Sequence, residues 1–562
     1  MLLAFALAFT TLSYRSYRQK SAVWDEPIHL TTGYAAVSQG DHRFDPEHPP
    51  FARAWAALPL LWMPEVALQA DGVDAIRPRH WAWVEQFSFA HRFLYLENDA
   101  DRLLYAARAM VVALGVVLAG LVFAWAYELG GLPAAAFALV GCLLEPNLMA
   151  HASLVTTDLA LTCFLFGSVY LLWRTCRRRS AWNIAGFTGF FVLAMVSKFS
   201  ALLLIPIVVL LLAVAAFRVR TLRPRTAIRL LFLLAVTTWV GIWGVYGFRY
   251  APYDSDTWFF RFQYDPVVSE RVPRLASIVS VVDQYRLLPN AYAQGFLLSQ
   301  AKSMSRGAFL AGERSSTGWW SYFPIAFLVK TPVSLMLLAA GAVALVLRRW
   351  WRRGIGDELF GVVPVVVVVA AAMSASLNIG HRHILPIYPF LVLGAALAAA
   401  KGVARRRIVG AAVSVALLGF WIYEFSRAYP HNLAFFNTLA GGPQRGAEWL
   451  VDSNLDWGQD LKLLARWLDE HEIRHVNLAY FGTADPRYYG IDATYLVGSP
   501  FFIPEQAFGK PKLPGYVAVS ATLLVGAYGE PAEQEFYRGL RRRDPVAVIG
   551  HSIRIYWVTR PW

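Results

Sequence analysis

Trp24-Asp25-Glu26-Pro27 is the stretch on which the fold turns. It follows an apolar run from Met1 to about Tyr14 and is continued by Asp45-Pro46-Glu47-His48-Pro49-Pro50. If the apolar run is a membrane helix, two adjacent carboxylates stand where the chain leaves the bilayer. Acidic side chains there are costly unless they serve a purpose. The stretch then becomes a catalytic loop, and the other apolar segments become the frame holding a substrate against it. Taken alone, Asp25 and Glu26 are equally readable as solvated loop residues.

The rest of the chain supports a membrane protein. Of 562 residues, 57% are hydrophobic and only 16% charged. Mean hydropathy is +0.42, and apolar runs long enough to span a bilayer recur, which excludes an ordinary soluble domain. The net charge of +14 is assigned to cytoplasmic loops and anionic lipid, not to nucleic acid. No cleavable signal is evident: Met1-Leu2-Leu3 begins in apolar sequence without a basic leader, which also fits a truncated start. Cys142, Cys163 and Cys176 all lie in or beside expected membrane helices. Neither a disulfide framework outside the membrane nor a Cys-His metal site is expected.

Hydrophobic patterning predicts an α-helical polytopic protein with about 11 membrane helices, near 1–14, 103–127, 133–149, 153–173, 182–199, 201–217, 228–248, 322–347, 359–377, 384–400 and 408–425. A long loop, 15–101, holds Trp55, Trp62, Trp81 and Trp83, residues suited to a lipid interface, and Phe51 to Trp62 reads as an amphipathic helix lying on the bilayer. Basic clusters at Arg174–Arg179, Arg218–Arg229, Arg348–Arg353 and Lys401–Arg407 fall on one side, which the positive-inside rule makes the cytoplasm. Arg15, Arg18 and Lys20 oppose that orientation. The loops 15–101 and 249–321 and the C-terminal region are then extracytoplasmic. The chain divides into a membrane domain, 1–428, and an α/β domain, 429–562. In the latter, His475–Phe481, Gly515–Val519 and Ile553–Val558 read as strands, and Pro531–Arg543 as a helix.

Polar residues at the outer helix ends converge on one face. They are Asp25, Glu26 and His48; Glu145, Asn147, His151 and Asp158; Lys198; and His381, Arg382 and His383. Such a face suits group transfer from a lipid-anchored phosphate. A carboxylate takes a proton from the acceptor, and Lys or Arg stabilises the departing phosphate. There is no P-loop and no credible Rossmann fingerprint. Structural roles compete at each position. Asp158 could cap its helix, Lys198 could snorkel to the interface, Arg382 could touch lipid headgroups, and His48 could be a turn residue. His151 and His381 with nearby carboxylates could hold a divalent metal, though no tight ligand spacing supports one. Asp456 and Trp457 in Asp456-Trp457-Gly458-Gln459-Asp460 could bind the acceptor or begin a helix.

Several motifs, in this order, resemble the GT-C glycosyltransferases. They are Trp24-Asp-Glu-Pro27, Glu47-His-Pro-Pro50, the run from Glu145 to Asp158 and Ser197-Lys-Phe-Ser200. The nearest type is the bacterial family 39 group, related to protein O-mannosyltransferases and the aminoarabinose transferase of lipid A. Gly380-His-Arg-His-Ile-Leu-Pro-Ile-Tyr-Pro389 and Ser453-Asn-Leu-Asp-Trp-Gly-Gln-Asp-Leu461 look like one bacterial subgroup. The resemblance implies an inner-membrane enzyme with a polyprenyl-phosphate-linked sugar donor, an extracytoplasmic acceptor and inversion at the anomeric carbon. It implies Asp25 as base with Glu26 beside it, Asp158 as the second acidic residue, and Lys198 and Arg382, with His381 and His383, near the donor phosphate. No cofactor is implied with certainty; a divalent metal stays an option. The C-terminal domain differs from the β-trefoil of eukaryotic O-mannosyltransferases, so protein as acceptor is in doubt. Two competitors stand beside this reading. One is a flippase for lipid-linked glycans, which needs polar residues at mid-membrane. The other is an O-antigen ligase-like enzyme, for which the arginines at 261, 271, 274, 286, 306 and 314 are candidates.

Overall fold

The computed structural model describes residues 1–68, 85–253, 258–499, 508–529 and 531–562. Trp81 and Trp83, expected at the interface, lie outside the described residues.

All the expected apolar segments contain helices. Ala100–Leu144, Asp158–Arg177, Phe199–Arg218, Pro224–Val245, Val333–Arg353, His381–Arg405 and Arg407–Ala428 are long and apolar enough to cross a membrane. Leu2–Tyr17, Ala181–Met195 and Leu359–Ser374 are shorter. At 45 residues, Ala100–Leu144 is far too long for one crossing. It breaks at Gly131, whose φ of 70° and ψ of −168° are not helical, just before Pro133. The expected helix at 103–127 is the first arm of that bend; the one expected at 133–149 is the second arm, which ends at Leu144, and the start of a separate short helix, Pro146–Ala152. The segment expected as one helix over 322–347 is instead two, Tyr322–Lys330 and Val333–Arg353, because Pro332 has no N–H to continue the ladder.

The bundle packs around Trp125, buried against Trp173, Tyr170, Phe166 and Phe390 of the Asp158–Arg177 and His381–Arg405 helices. Between membrane helices such interlocking packing, not exclusion of water, supplies the attraction. Pro224–Val245, Val333–Arg353 and Arg407–Ala428 form the periphery, each burying only 17% of its apolar window.

Three helices share a polarity that matters for function. Asp158 and Arg177 are opposite ends of one helix, Lys198 and Arg218 bracket the next, and Arg382 and Arg405 the third. The basic end of the first meets acidic partners: Arg177 reaches Asp357 at 2.5 Å and Arg174 reaches Glu128 at 3.4 Å.

Phe51–Ala57 is helical, followed by a 3₁₀ turn over Leu58–Trp62. Its Arg53 is buried, so this face turns into the protein. The 249–321 loop folds into helices Pro266–Arg271, Pro273–Gln284 and Asn290–Ser303 and a hairpin of β1 (Ala308–Leu310) with β2 (Glu313–Ser315).

Beyond residue 429 lies a five-stranded sheet of β3 (Val476–Ala479), β4 (Ala493–Tyr495), β5 (Gly515–Ser520), β6 (Ala547–Ile549) and β7 (Ile553–Val558), in the order β4-β3-β5-β7-β6. β3 is parallel to both its neighbours and buried throughout; β7 is antiparallel to β5 and β6. Leu461–Glu470 covers the sheet with Leu461, Leu464 and Leu468, and the helix expected over 531–543 ends at Phe536.

Candidate active site

A cavity of about 530 Å³ lies where the first loop meets the starts of Phe199–Arg218 and His381–Arg405, the Asn290–Ser303 helix and the end of Leu359–Ser374. Several helix N-termini gather here. Asp25 stands just before Glu26–Gln39 without a side-chain cap bond, Asp158 opens its helix, Lys198 precedes Phe199, and Arg382 is the second residue of its helix. The partial positive charge of helix N-termini favours carboxylates and phosphates at this spot.

Four side chains form a chain of alternating charge. The Lys198 Nζ donates to Asp158 Oδ1 at 2.5 Å. Asp158 Oδ2 stands 3.6 Å from Arg382 Nη1, which donates to Asp25 Oδ2 at 2.9 Å. Asp158 does not cap its helix: the cap position is Thr157, with no side-chain bond. Lys198 does not snorkel, being 9% exposed and turned into the site. Arg382 lies with its guanidinium carbon 4.2 Å from the Trp457 ring centroid and lines the cavity, not a lipid surface. Burial alone would raise the Asp25 carboxyl; Arg382, then His29 and His48, outweigh it and hold it below the usual carboxylate range.

Glu26 has a different fate from its neighbour. It is fully buried and paired with the equally buried Arg108, Nε to Oε1 at 2.8 Å and Nη2 to Oε2 at 2.5 Å. It also accepts from the backbone N–H of Val23 and Val155, each at 2.9 Å. Arg108 fills its remaining donors on the carbonyls of Tyr17, Lys20 and Ser21. Glu26 therefore ties the first loop to the turn before Asp158 and does not line the cavity.

Beyond Asp25 the wall carries His29, Asp45 and His48. His48 Nδ1 is 3.2 Å from Asp45 Oδ1, Arg53 Nη1 is 2.7 Å from Asp45 Oδ2, and His29 Nε2 is 3.6 Å from the same oxygen. The potential ligand atoms of the two histidines and Asp45 lie within 4.8 Å of one another. By donor type this is a zinc-like set. The Arg53 guanidinium already neutralises its one carboxylate, however, and a dication would have to share Asp45 with it. The residues do not fit a resident cation, and no step below uses one. His151 and His381 are not in this cluster. His381 Nε2 is 2.5 Å from the Tyr388 hydroxyl, and His151 is buried away from the cavity. His383 does line it.

Sequence reasoning missed His29, one helical turn after Asp25 and so on the same face. It also missed Arg53, Arg108 and the Lys302–Glu47 pair at 2.6 Å. Arg306 entered only as one of six loop arginines. It is exposed on the cavity wall, with no carboxylate at ion-pair distance among the described residues. The wall also carries apolar side chains, including Leu202, Leu203, Phe296, Val368, Ala372 and Leu377, beside polar Gln86, Ser200, Ser299, Gln300 and Ser303. Asp456 is fully buried, its Oδ2 accepting from the Thr522 N–H at 2.8 Å, and neither it nor Trp457 lines the cavity.

No protein-family model matches the chain, and no curated protein matches it. Two solved structures are similar along its length. ArnT from Cupriavidus metallidurans bound to undecaprenyl phosphate is 12% identical with a TM-score of 0.45. ArnT from the same organism in the apo state is 14% identical with a TM-score of 0.29. Each covers 100% of this chain and 99% of the other.

Proposed function

We propose that this protein is a membrane glycosyltransferase of GT-C type, moving a sugar from a polyprenyl-phosphate donor to an extracytoplasmic acceptor with inversion. The observation that carries the proposal is the Lys198–Asp158–Arg382–Asp25 chain in a cavity that also presents the apolar side chains of Leu202, Leu203, Phe296, Val368 and Ala372. An amphiphile with an anionic head is the ligand class such a cavity fits. Its volume, about 530 Å³, lies within the usual range for small-ligand sites. The prenyl chain runs along Leu202, Leu203, Val368 and Ala372, and the phosphate meets Lys198, Arg382 and Arg306.

The acceptor's oxygen or nitrogen bonds to the anomeric carbon while the bond from that carbon to the phosphate oxygen breaks. Asp25, ionised at neutral pH, takes the acceptor's proton. The electron pair leaves with the phosphate, whose added charge Arg382 and Lys198 stabilise. Attack opposite the leaving group inverts the centre. Asp158 sets the spacing of the two cations, and Glu26 holds the loop that presents Asp25. The basic helix ends lie opposite the site, so the positive-inside rule puts the cavity and the sheet region outside the cytoplasm.

A flippase would carry its ionisable groups at mid-membrane, whereas here they stand at helix ends. A ligase-type site would draw on the loop arginines. Of these only Arg306 lines the cavity, while Arg314 reaches Glu535 at 3.4 Å. The test is transfer in reconstituted membranes from labelled polyprenyl-phosphate sugars, comparing wild type with Asp25→Asn. Full rate in the variant removes Asp25 as base. A wild type that never releases polyprenyl phosphate removes the enzyme itself.

A further inference from the structure

The segment from Asp452 to Asp460 is buried at every residue, although it belongs to the region carrying the sheet. One flank grips the first loop. The Ser21 N–H donates to the Gln459 carbonyl at 3.0 Å, and the Trp24 N–H to the Trp457 carbonyl at 2.9 Å. The Ser21 hydroxyl donates to the Gly458 carbonyl at 2.9 Å and accepts from the Leu461 N–H at 3.1 Å. Lys20 Nζ is 2.5 Å from Asp460 Oδ1. The other flank grips the loop carrying Arg382. The His381 N–H donates to Asn454 Oδ1 at 2.8 Å, and the Ser453 hydroxyl to the Ile379 carbonyl at 2.9 Å. The fit at Gly380 is close: a Cβ there would lie 2.1 Å from Ser453 Oγ.

Asp25 follows Trp24 and Arg382 follows His381, so one short segment fixes the backbone of both partners in the 2.9 Å ion pair. Between its two grips the segment places the Trp457 indole on the guanidinium of Arg382. A stacked indole holds the guanidinium plane while leaving its in-plane N–H donors free. The surrounding apolar cluster of Val23, Leu154, Leu433 and Phe481 holds the indole in turn.

We infer that Trp457 is a positioning residue that sets the plane of Arg382, and that the Ser453–Asp460 segment clamps Asp25 and Arg382 in register. This inference rests on the glycosyltransferase reading for its rate predictions only. The sequence raised Trp457 as an acceptor contact; the clamp gives it a different kinetic signature, because it touches no substrate.

The test compares Trp457→Leu and Trp457→Phe in the full chain. Release of undecaprenyl phosphate from undecaprenyl-phosphate sugars is followed against increasing amounts of source-cell membrane as acceptor. The clamp predicts that Trp457→Leu loses tenfold or more in rate at saturating membrane, with the half-saturating amount unchanged, and that Trp457→Phe recovers most of the loss. An acceptor contact predicts the reverse, a raised half-saturating amount with the maximal rate kept, and that result overturns the clamp. A double-mutant cycle on Tm between Trp457→Leu and Arg382→Gln needs no activity. Coupled losses support the stack and additive losses overturn it. Where Trp457→Leu does not fold, Trp457→Met takes its place. If wild type releases no polyprenyl phosphate, the glycosyltransferase reading falls and the cycle alone decides the clamp.

Discussion

Asp25 and Arg382 stand 357 positions apart in the chain, yet their side chains meet at 2.9 Å at the head of the cavity. The pair joins the group proposed to take the acceptor's proton to the group proposed to receive the phosphate's charge. Asp25→Asn keeps the shape and removes the base. Transfer is expected to fall by about 100-fold or more, while binding of undecaprenyl phosphate, followed by thermal shift, changes little. A variant that bound the lipid poorly and transferred at full rate when saturated would reverse those roles.

Arg306 and Arg382 are expected to separate kinetically. Arg306 is exposed, with no carboxylate at ion-pair distance among the described residues, so Arg306→Ala should raise the donor KM by roughly tenfold with kcat nearly kept. Arg382→Lys retains a charge but not the planar fork, and should lower kcat instead. Steady-state kinetics on one donor suffices to check both.

Glu26 and Arg108 make a stability prediction. Removing one partner strands a charge where nothing can solvate it, at a cost of about 3–5 kcal/mol. Glu26→Ala or Arg108→Ala alone should lower Tm sharply in detergent. The pair Glu26→Leu with Arg108→Met should recover much of the loss. Equal Tm values for wild type and Glu26→Ala would show that the pair is not the brace described.

Asp456 supplies a pH test. Burial pushes its carboxyl up to about 7, with Asp460 and Asp452 adding to the effect of burial and the Thr522 bonds opposing it. The folded protein then holds a proton there that the unfolded chain releases near pH 4. Stability from this group is therefore present in acid and lost as pH rises from about 4 to about 7. Asp456→Asn should flatten that part of the Tm profile and raise Tm at pH 8. A profile identical to wild type would mean Asp456 is ionised in the fold.

Chelation is the simplest measurement. Because Arg53 already occupies Asp45 at 2.7 Å, treatment with EDTA followed by dialysis should leave the transfer rate within about twofold of the untreated enzyme. A loss restored by Zn²⁺ or Mg²⁺ would place a cation among His29, Asp45 and His48 after all.

Much of the architecture was legible because lipid imposes a simple rule: apolar runs of sufficient length become helices, and basic clusters mark one side. The same rule put Asp25, Asp158, Lys198 and Arg382 at one set of helix ends. What stayed hidden depends on partners far away in the chain. Nothing in Asp25-Glu26 says that the second carboxylate turns toward Arg108 while the first faces the cavity. Adjacent residues at a helix start point to different sides, and only the fold says which side holds an arginine. For Trp457 the sequence leaves open an acceptor contact or a helix start, because its burial depends on the first loop. β4 and β6, three residues each, are too short to show any alternation.

The clamp also carries a temporal consequence. The Ser21 N–H and hydroxyl bond to Gly458, Gln459 and Leu461. A ribosome making this chain therefore releases every membrane helix before it releases the segment that brings Asp25 and Arg382 into line. Until then the nascent protein is inserted but the proposed centre is unformed, so on the proposed function no lipid-linked sugar is consumed during synthesis. A message interrupted shortly after residue 428 would leave the helices described above in the bilayer without the segment that aligns Asp25 and Arg382.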